Sequence, residues 1–174
     1  YTYSKEVKMK LLFLLSSITN YAHADDIVMN YSQYDAHENY WRVVPEVIVC
    51  KSQTIFSENQ IKYALDLWGE SYSRISIREK CNYQIEYGKI KIIDGKQLKK
   101  DQNGYTSYIY RDVKVNNKVV REHESALVQL DRNINDISLL VHEIGHAFGY
   151  NHYNENVDVM NSHSHRHRSG KYPY

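Results

Sequence analysis

Residues 135–152 read NDISLLVHEIGHAFGYNH. Apolar residues recur at helical spacing from Ile137 to Ala147, and either Asn135 or Asp136 can cap the N-terminus of the helix that this pattern predicts. The helix is apolar enough to lie buried against a sheet. Three polar residues interrupt it, namely His142, Glu143 and His146. Such groups in a buried helix are destabilising unless they are paired or bind a metal ion, so they require an explanation.

The spacing of three histidines predicts a metal site. His142 and His146 are four residues apart and share one helix face, so their imidazoles can converge on a single ion. Glu143 is rotated by about 100° around the helix, which puts its carboxylate beside the water that the metal activates and outside the ligand set. Gly149 can take the left-handed conformation that ends the helix and reverses the chain, so that His152 returns as a third ligand. Three nitrogen ligands and an open position are typical of a catalytic zinc site.

The stretch from His142 to His152 resembles the HExxHxxGxxH motif of the metzincin clan of zinc endopeptidases at every fixed position. Met160 is a candidate for the clan's Met-turn, and its short distance from His152 is most similar to the matrixin branch. The resemblance implies an α+β fold with a metzincin-like twisted mixed sheet, a backing helix, a buried active-site helix and a short C-terminal subdomain. It is specific over residues 135–162 and only architectural over residues 45–131.

The chain also departs from the clan's patterns. Tyr153 follows the third ligand, where matrixins typically carry serine and astacins glutamate. Ser162 stands where some branches place a tyrosine that stabilises the oxyanion. The chain after His152 is short, which implies a small lower wall of the cleft, and no cysteine-switch propeptide is visible. The branch of the clan and the mechanism of latency therefore stay open.

The N-terminal region predicts export. From Met9 the sequence is MKLLFLLSSITNYAHA, with a positive charge at Lys10, a short apolar stretch and a small-residue site that ends at Ala24. We expect signal-peptide cleavage after Ala24, with residues 1–8 as upstream sequence, and a secreted or periplasmic product without a membrane anchor. A buried N-terminal strand or helix is the alternative. Residues 25–174 would then form a single catalytic domain, with an upper subdomain at 25–149 and a short lower one at 150–174.

Export affects the interpretation of Cys50 and Cys81. Two cysteines in an oxidising compartment more often pair than stay free, so we predict one structural disulfide. Their spacing resembles no metal knuckle. If they fell at opposite ends of parallel strands, their Cα atoms would be too far apart to bridge.

Upstream of the motif, the pattern predicts an α+β order of strand, helix and several strands. A β-branched run at Pro45–Cys50 predicts the first strand, and a helix follows it. Ser57 and Gln60 have capping-box spacing at its start, and Gly69 stands where it would stop. Further strands are predicted at 75–77, 83–87, 89–93, 105–111 and 126–130.

Two local features complete the pattern. A hairpin is expected across Asn116-Asn117, because asparagine tolerates the positive φ of tight hairpin turns. The apolar residues of the first helix, Ile61, Ala64, Leu65 and Trp68, are expected to face the core.

The composition restricts the classes of partner. The chain has 174 residues, 42% of them hydrophobic, with a formal net charge of +1. This length suits one domain, and the balanced charge offers no broad basic surface for nucleic acid or an anionic membrane. We expect a monomer. The alternating histidines at 163, 165 and 167 are interpreted as solvated, with adventitious metal binding or a pH-sensitive charge as the alternatives.

The sequence therefore predicts an endopeptidase that binds a protein or peptide substrate in extended form along an edge strand, for which Ala126–Leu130 is the candidate. The alternative from another class is a catalytically weak or inactive, zinc-holding protein-binding module. An exopeptidase would differ only in closure of the cleft.

Overall fold

The computed structural model describes residues 39–95, 98–99, 102–152 and 159–161. These residues form a mixed sheet of six strands and two α-helices, which confirms the predicted α+β class. The elements are β1 (Asn39–Trp41), β2 (Glu46–Cys50), α1 (Glu58–Trp68), β3 (Arg74–Arg78), β4 (Lys89–Asp94), β5 (Gly104–Val115), β6 (Lys118–Leu130) and α2 (Ile137–Phe148), with a 3-10 turn at Lys51–Gln53. The predicted signal peptide, Tyr153, Ser162 and the histidine-rich tail lie outside the described residues.

The strands lie in the order β3-β2-β4-β6-β5, and all neighbours are parallel except β5 and β6. The side of β6 away from β5 pairs with β1 at Arg121–His123 and with β4 at Ala126–Leu130. Ala126–Leu130 is therefore an internal strand segment, and its prediction as the edge strand was wrong. The physical reason is that this segment is buried throughout, as expected for a strand covered on both faces. In the described sheet β5 pairs with β6 alone and forms one edge, and β3 forms the edge at the other end.

The predicted hairpin is confirmed. Val113 lies opposite Val120, and the turn residues Asn116 and Asn117 have φ values of 51° and 65°. Positive φ at both central positions gives the turn a twist that matches the flanking strands.

Both helices begin and end where local signals predicted. In α1 the Ser57 side chain accepts a hydrogen bond from the Gln60 N–H while the Gln60 side chain accepts one from the Ser57 N–H, and the left-handed Gly69 ends the helix. Asp136, rather than Asn135, caps α2, because its carboxylate accepts a hydrogen bond from the Ser138 N–H.

The two helices pack on one face of the sheet and share a single core. The inward residues of α1 are all buried there, as predicted: Ile61, Ala64, Leu65 and Trp68. The Trp68 indole N–H donates to the Val141 carbonyl oxygen of α2 at 2.9 Å. No helix in the described part of the chain is long and apolar enough to cross a membrane.

The predicted disulfide is confirmed on the opposite face of the sheet. Cys50 and Cys81 are bonded, with their Cα atoms 5.7 Å apart. The pairing is possible because Cys50 lies level with Arg78, the last residue of the parallel strand β3, so Cys81 emerges at the same end of the sheet. The bond indicates an oxidising environment such as the cell exterior.

The prediction of a strand at 83–87 was wrong. This segment is irregular, and Tyr83 and Ile85 pack over the second face of the sheet. Lys91, which is fully buried, donates to the carbonyl oxygens of Asn82 and Gln84. A lysine side chain therefore satisfies backbone groups that would otherwise need a neighbouring strand.

Candidate metal centre

Helix α2 and the turn that follows it bring the three predicted ligands together. His142 and His146 lie on one face of α2, and Gly149 ends the helix in the left-handed conformation with φ 101°. The N–H of Tyr150 donates to the carbonyl oxygen of Gly145 at 3.0 Å, which fixes the turn. The chain reverses here as predicted and returns His152 to the other two rings.

The distances fit one tetrahedral ion. The Nε2 atom of His146 lies 3.1 Å from Nε2 of His142 and 3.1 Å from Nε2 of His152. Ligand nitrogens at 2.0–2.1 Å from a tetrahedral zinc would be separated by about 3.3 Å. The three histidines could therefore hold a metal ion with little adjustment.

The hydrogen bonds of the imidazoles favour the tautomer that binds metal through Nε2. Nδ1 of His142 lies 2.7 Å from the carbonyl oxygen of Val159, and Nδ1 of His146 lies 2.8 Å from that of Tyr150. A carbonyl oxygen only accepts, so each Nδ1 carries the hydrogen and each Nε2 of a neutral ring is an acceptor. Acceptors 3.1 Å apart repel unless a proton or a cation lies between them, and carbonyl partners at Nδ1 are common for metal-bound histidines.

Met160 lies next to α2 at Gly145. Its side chain is fully buried, and its sulfur would be 2.8 Å from a methyl carbon added to Gly145. The preceding residue, Val159, orients His142 through its carbonyl oxygen.

The ligand turn is also anchored to α1. The Tyr150 ring stacks on Trp68 with centroids 4.5 Å apart, and the Tyr150 hydroxyl donates to the Glu70 carboxylate. The backbone of Tyr150 thus orients His146 while its side chain holds the turn that carries His152. Sequence reasoning missed this residue, because a tyrosine beside a motif carries no signal of its partner.

Glu143 belongs to α2, and its side chain packs against β5. The residue is 5% exposed, and its Oε2 atom accepts a hydrogen bond of 2.7 Å from the Thr106 hydroxyl. Burial raises the pKa of Glu143 to about 7, although the hydrogen bond from Thr106 acts in the opposite direction. A carboxyl with a pKa near neutrality can take up and release a proton at physiological pH.

Two further residues at Glu143 were not predicted from the sequence. Thr106 and Gly104 belong to β5, and a methyl carbon added to Gly104 would lie 2.6 Å from Oε1 of Glu143. The sequence placed Thr106 in a predicted strand and Gly104 just outside it, and assigned neither a role, since only the packing of β5 against α2 brings them to the carboxyl.

Comparison of the chain with protein-family models, curated proteins and solved structures gave no match. The functional argument therefore rests on the geometry and chemistry of this site.

Proposed function

We propose that the protein is a secreted zinc-dependent endopeptidase of the metzincin type, closest to the matrixin branch in motif spacing. One observation carries the proposal: three imidazole Nε2 atoms converge within reach of one ion, and the residue after the first ligand is a buried carboxyl. Zinc is the metal that suits three imidazoles with an open fourth position.

Bound zinc would polarise the scissile carbonyl and lower the pKa of the attacking water toward about 7. Glu143 takes a proton from that water while the oxygen of the water bonds to the carbonyl carbon. Glu143 then delivers the proton to the amine nitrogen as the carbon–nitrogen bond breaks, which restores the carboxylate.

The edge strand β5 replaces Ala126–Leu130 as the place where an extended peptide would bind. It is antiparallel to β6 on one side, and at its start Gly104 and Thr106 lie against Glu143. Backbone groups on the outer side of β5 could pair with a substrate strand next to the proposed general base.

The confirmed disulfide supports secretion, because such bonds persist in oxidising compartments. Export by the leader that ends at Ala24 belongs to the same proposal, as does a monomeric enzyme that needs no nucleic acid or membrane partner.

A peptide-library digest with sequencing of the new termini tests the proposal. The zinc-loaded protein should generate new termini over time, and a chelator should stop this until zinc is restored. Glu143→Ala should keep its zinc but lose cleavage, whereas Glu58→Ala, a control at the exposed start of α1, should remain active. A zinc-loaded wild type that generates no termini would contradict the enzyme and favour the metal-holding binding module.

A further inference from the structure

Residues of β5 form a closely fitted surface against Glu143. Thr106 is only 8% exposed, and its hydroxyl lies 2.7 Å from Oε2 and 2.9 Å from the main-chain oxygen of Glu143. Both acceptors belong to the same residue. The hydroxyl therefore fixes the carboxyl relative to the backbone of the helix that carries it.

Strand propensity alone does not explain why residue 106 is a threonine. Its cross-strand partner is Val128, and a valine at position 106 would have the same branched shape without a hydroxyl to satisfy. A buried hydroxyl without a hydrogen bond would destabilise the fold. The Thr106 hydroxyl is therefore explained by its hydrogen bonding to Glu143.

Gly104 supplies space for the same carboxyl. A methyl carbon there would lie 2.6, 2.8 and 2.9 Å from Oε1, Cγ and Cδ of Glu143. Gly104 is not among the glycines with positive φ, so its backbone conformation is open to other residues. Glycine is therefore required at position 104 because the Glu143 carboxyl occupies the space that a side chain would fill.

We propose that Thr106 and Gly104 form a seat on β5 that positions the Glu143 carboxyl for peptide hydrolysis. The inference rests on the proposed peptidase function and deepens it by assigning two positioning residues on the edge strand. Thr106 engages Oε2, so Oε1 above Gly104 is the oxygen that receives the proton of the attacking water.

The chemistry of the hydroxyl suits this task. The threonine hydroxyl donates to Oε2 of the carboxylate, and Oε2 remains an acceptor for the same hydroxyl when the proton is on Oε1. The seat therefore keeps a hydrogen bond to Glu143 before and after the proton transfer.

Steady-state kinetics of the zinc-loaded protein test the seat on a peptide that the wild type cleaves. Thr106→Val should lower kcat by 10- to 100-fold, with KM within about twofold and bound zinc unchanged, because the carboxyl is misplaced rather than removed. Thr106→Ser should restore kcat to within about threefold of the wild type, since the hydroxyl returns. Gly104→Ala should lower kcat at least tenfold with its zinc retained, and Glu58→Ala, the control at the exposed start of α1, should behave as wild type.

A double-mutant cycle of Thr106→Val and Glu143→Ala in chemical unfolding gives a second readout that needs no activity. The two changes should be coupled by at least tenfold in the unfolding equilibrium constant. Additive effects, or full kcat in Thr106→Val, would overturn the seat while leaving an active peptidase. A wild type without activity would instead overturn the proposed function, and the catalytic role of the seat with it.

Discussion

Gly145 and Trp68 are in contact across the interface of α1 and α2. A methyl carbon added to Gly145 would lie 2.4 Å from Cζ2 of the Trp68 ring and 2.8 Å from the sulfur of Met160. The helix that carries His142, Glu143 and His146 is thus packed at Gly145 against both the Trp68 ring and the Met160 sulfur. The backbone of α2 can come this close only because position 145 has no side chain.

Gly145→Ala should therefore lower the free energy of unfolding, although alanine in a helix interior normally raises it by about 1 kcal/mol. We expect a net loss of about 1–3 kcal/mol from overpacking against Trp68. Denaturant unfolding measures it. Gly69→Ala is the matched control, since no atom lies within 4 Å of a methyl carbon there and only its left-handed conformation opposes the change. An unchanged or higher stability of Gly145→Ala would contradict the contact.

The wild-type protein should bind one zinc ion per chain, and His146→Ala should lose at least nine-tenths of it at equal free zinc. His146 is chosen because its Nε2 atom lies next to those of both other ligands. Elemental analysis after gel filtration gives the stoichiometry. His123→Leu removes a buried histidine outside the cluster and should keep its zinc; equal metal content in the two variants would contradict the assigned site.

Acidification should destabilise the fold through His123. This residue is 1% exposed. Its ring lies against the rings of Trp41 and Tyr108 and has no hydrogen-bond partner for either nitrogen among the described residues. Burial, helped by the nearby charge of Arg121, lowers the pKa of His123 from 6.5 to about 4. As the pH falls, the unfolded chain therefore binds the proton first, and stability is lost between these two values.

The expected slope is up to about 1.4 kcal/mol per pH unit below pH 6.5, and it levels off near pH 4. Urea unfolding of the metal-free protein from pH 7 to pH 5 measures this loss. Comparison with His123→Leu isolates it, because every other titrating group is shared. Parallel stability curves for the two proteins over this range would show that His123 is not the cause.

Removal of the disulfide should lower the free energy of unfolding by about 3–4 kcal/mol for cysteines 31 residues apart. The double variant Cys50→Ala/Cys81→Ala avoids a free thiol and is compared with the wild type in guanidinium unfolding. Reductant should weaken the wild type and leave the double variant unchanged. Equal midpoints for wild type and double variant under oxidising conditions would contradict a stabilising bond.

Elements with strong local signals could be predicted from the sequence. The capping box at Ser57 and the reversal at Gly149 were both placed correctly, because the chemistry that forms them is contained within a few neighbouring residues. The same holds for the turn at Asn116-Asn117. The convergence of His142 and His152 follows from one helix and one turn, so it was also within reach.

Features that depend on distant pairing could not be predicted. The short strand β1 was missed because its partner is Arg121–His123, far along the chain, and Ala126–Leu130 was misplaced because no local pattern reveals its second neighbour. The carbonyl groups satisfied by Lys91 are likewise a tertiary feature, as is the contact of Thr106 with Glu143.

The central place of β6 determines when the native fold can form during synthesis. Its backbone supplies the partners of β1, β4 and β5, and the pairing of Asn39 with Arg121 joins residues that are far apart in the sequence. Until β6 has left the ribosome, the strands made before it keep exposed edges that invite aggregation. Closure of the sheet and assembly of the histidine cluster on the adjacent α2 therefore come late and close together, and such non-local closure makes folding slow for a chain of this size.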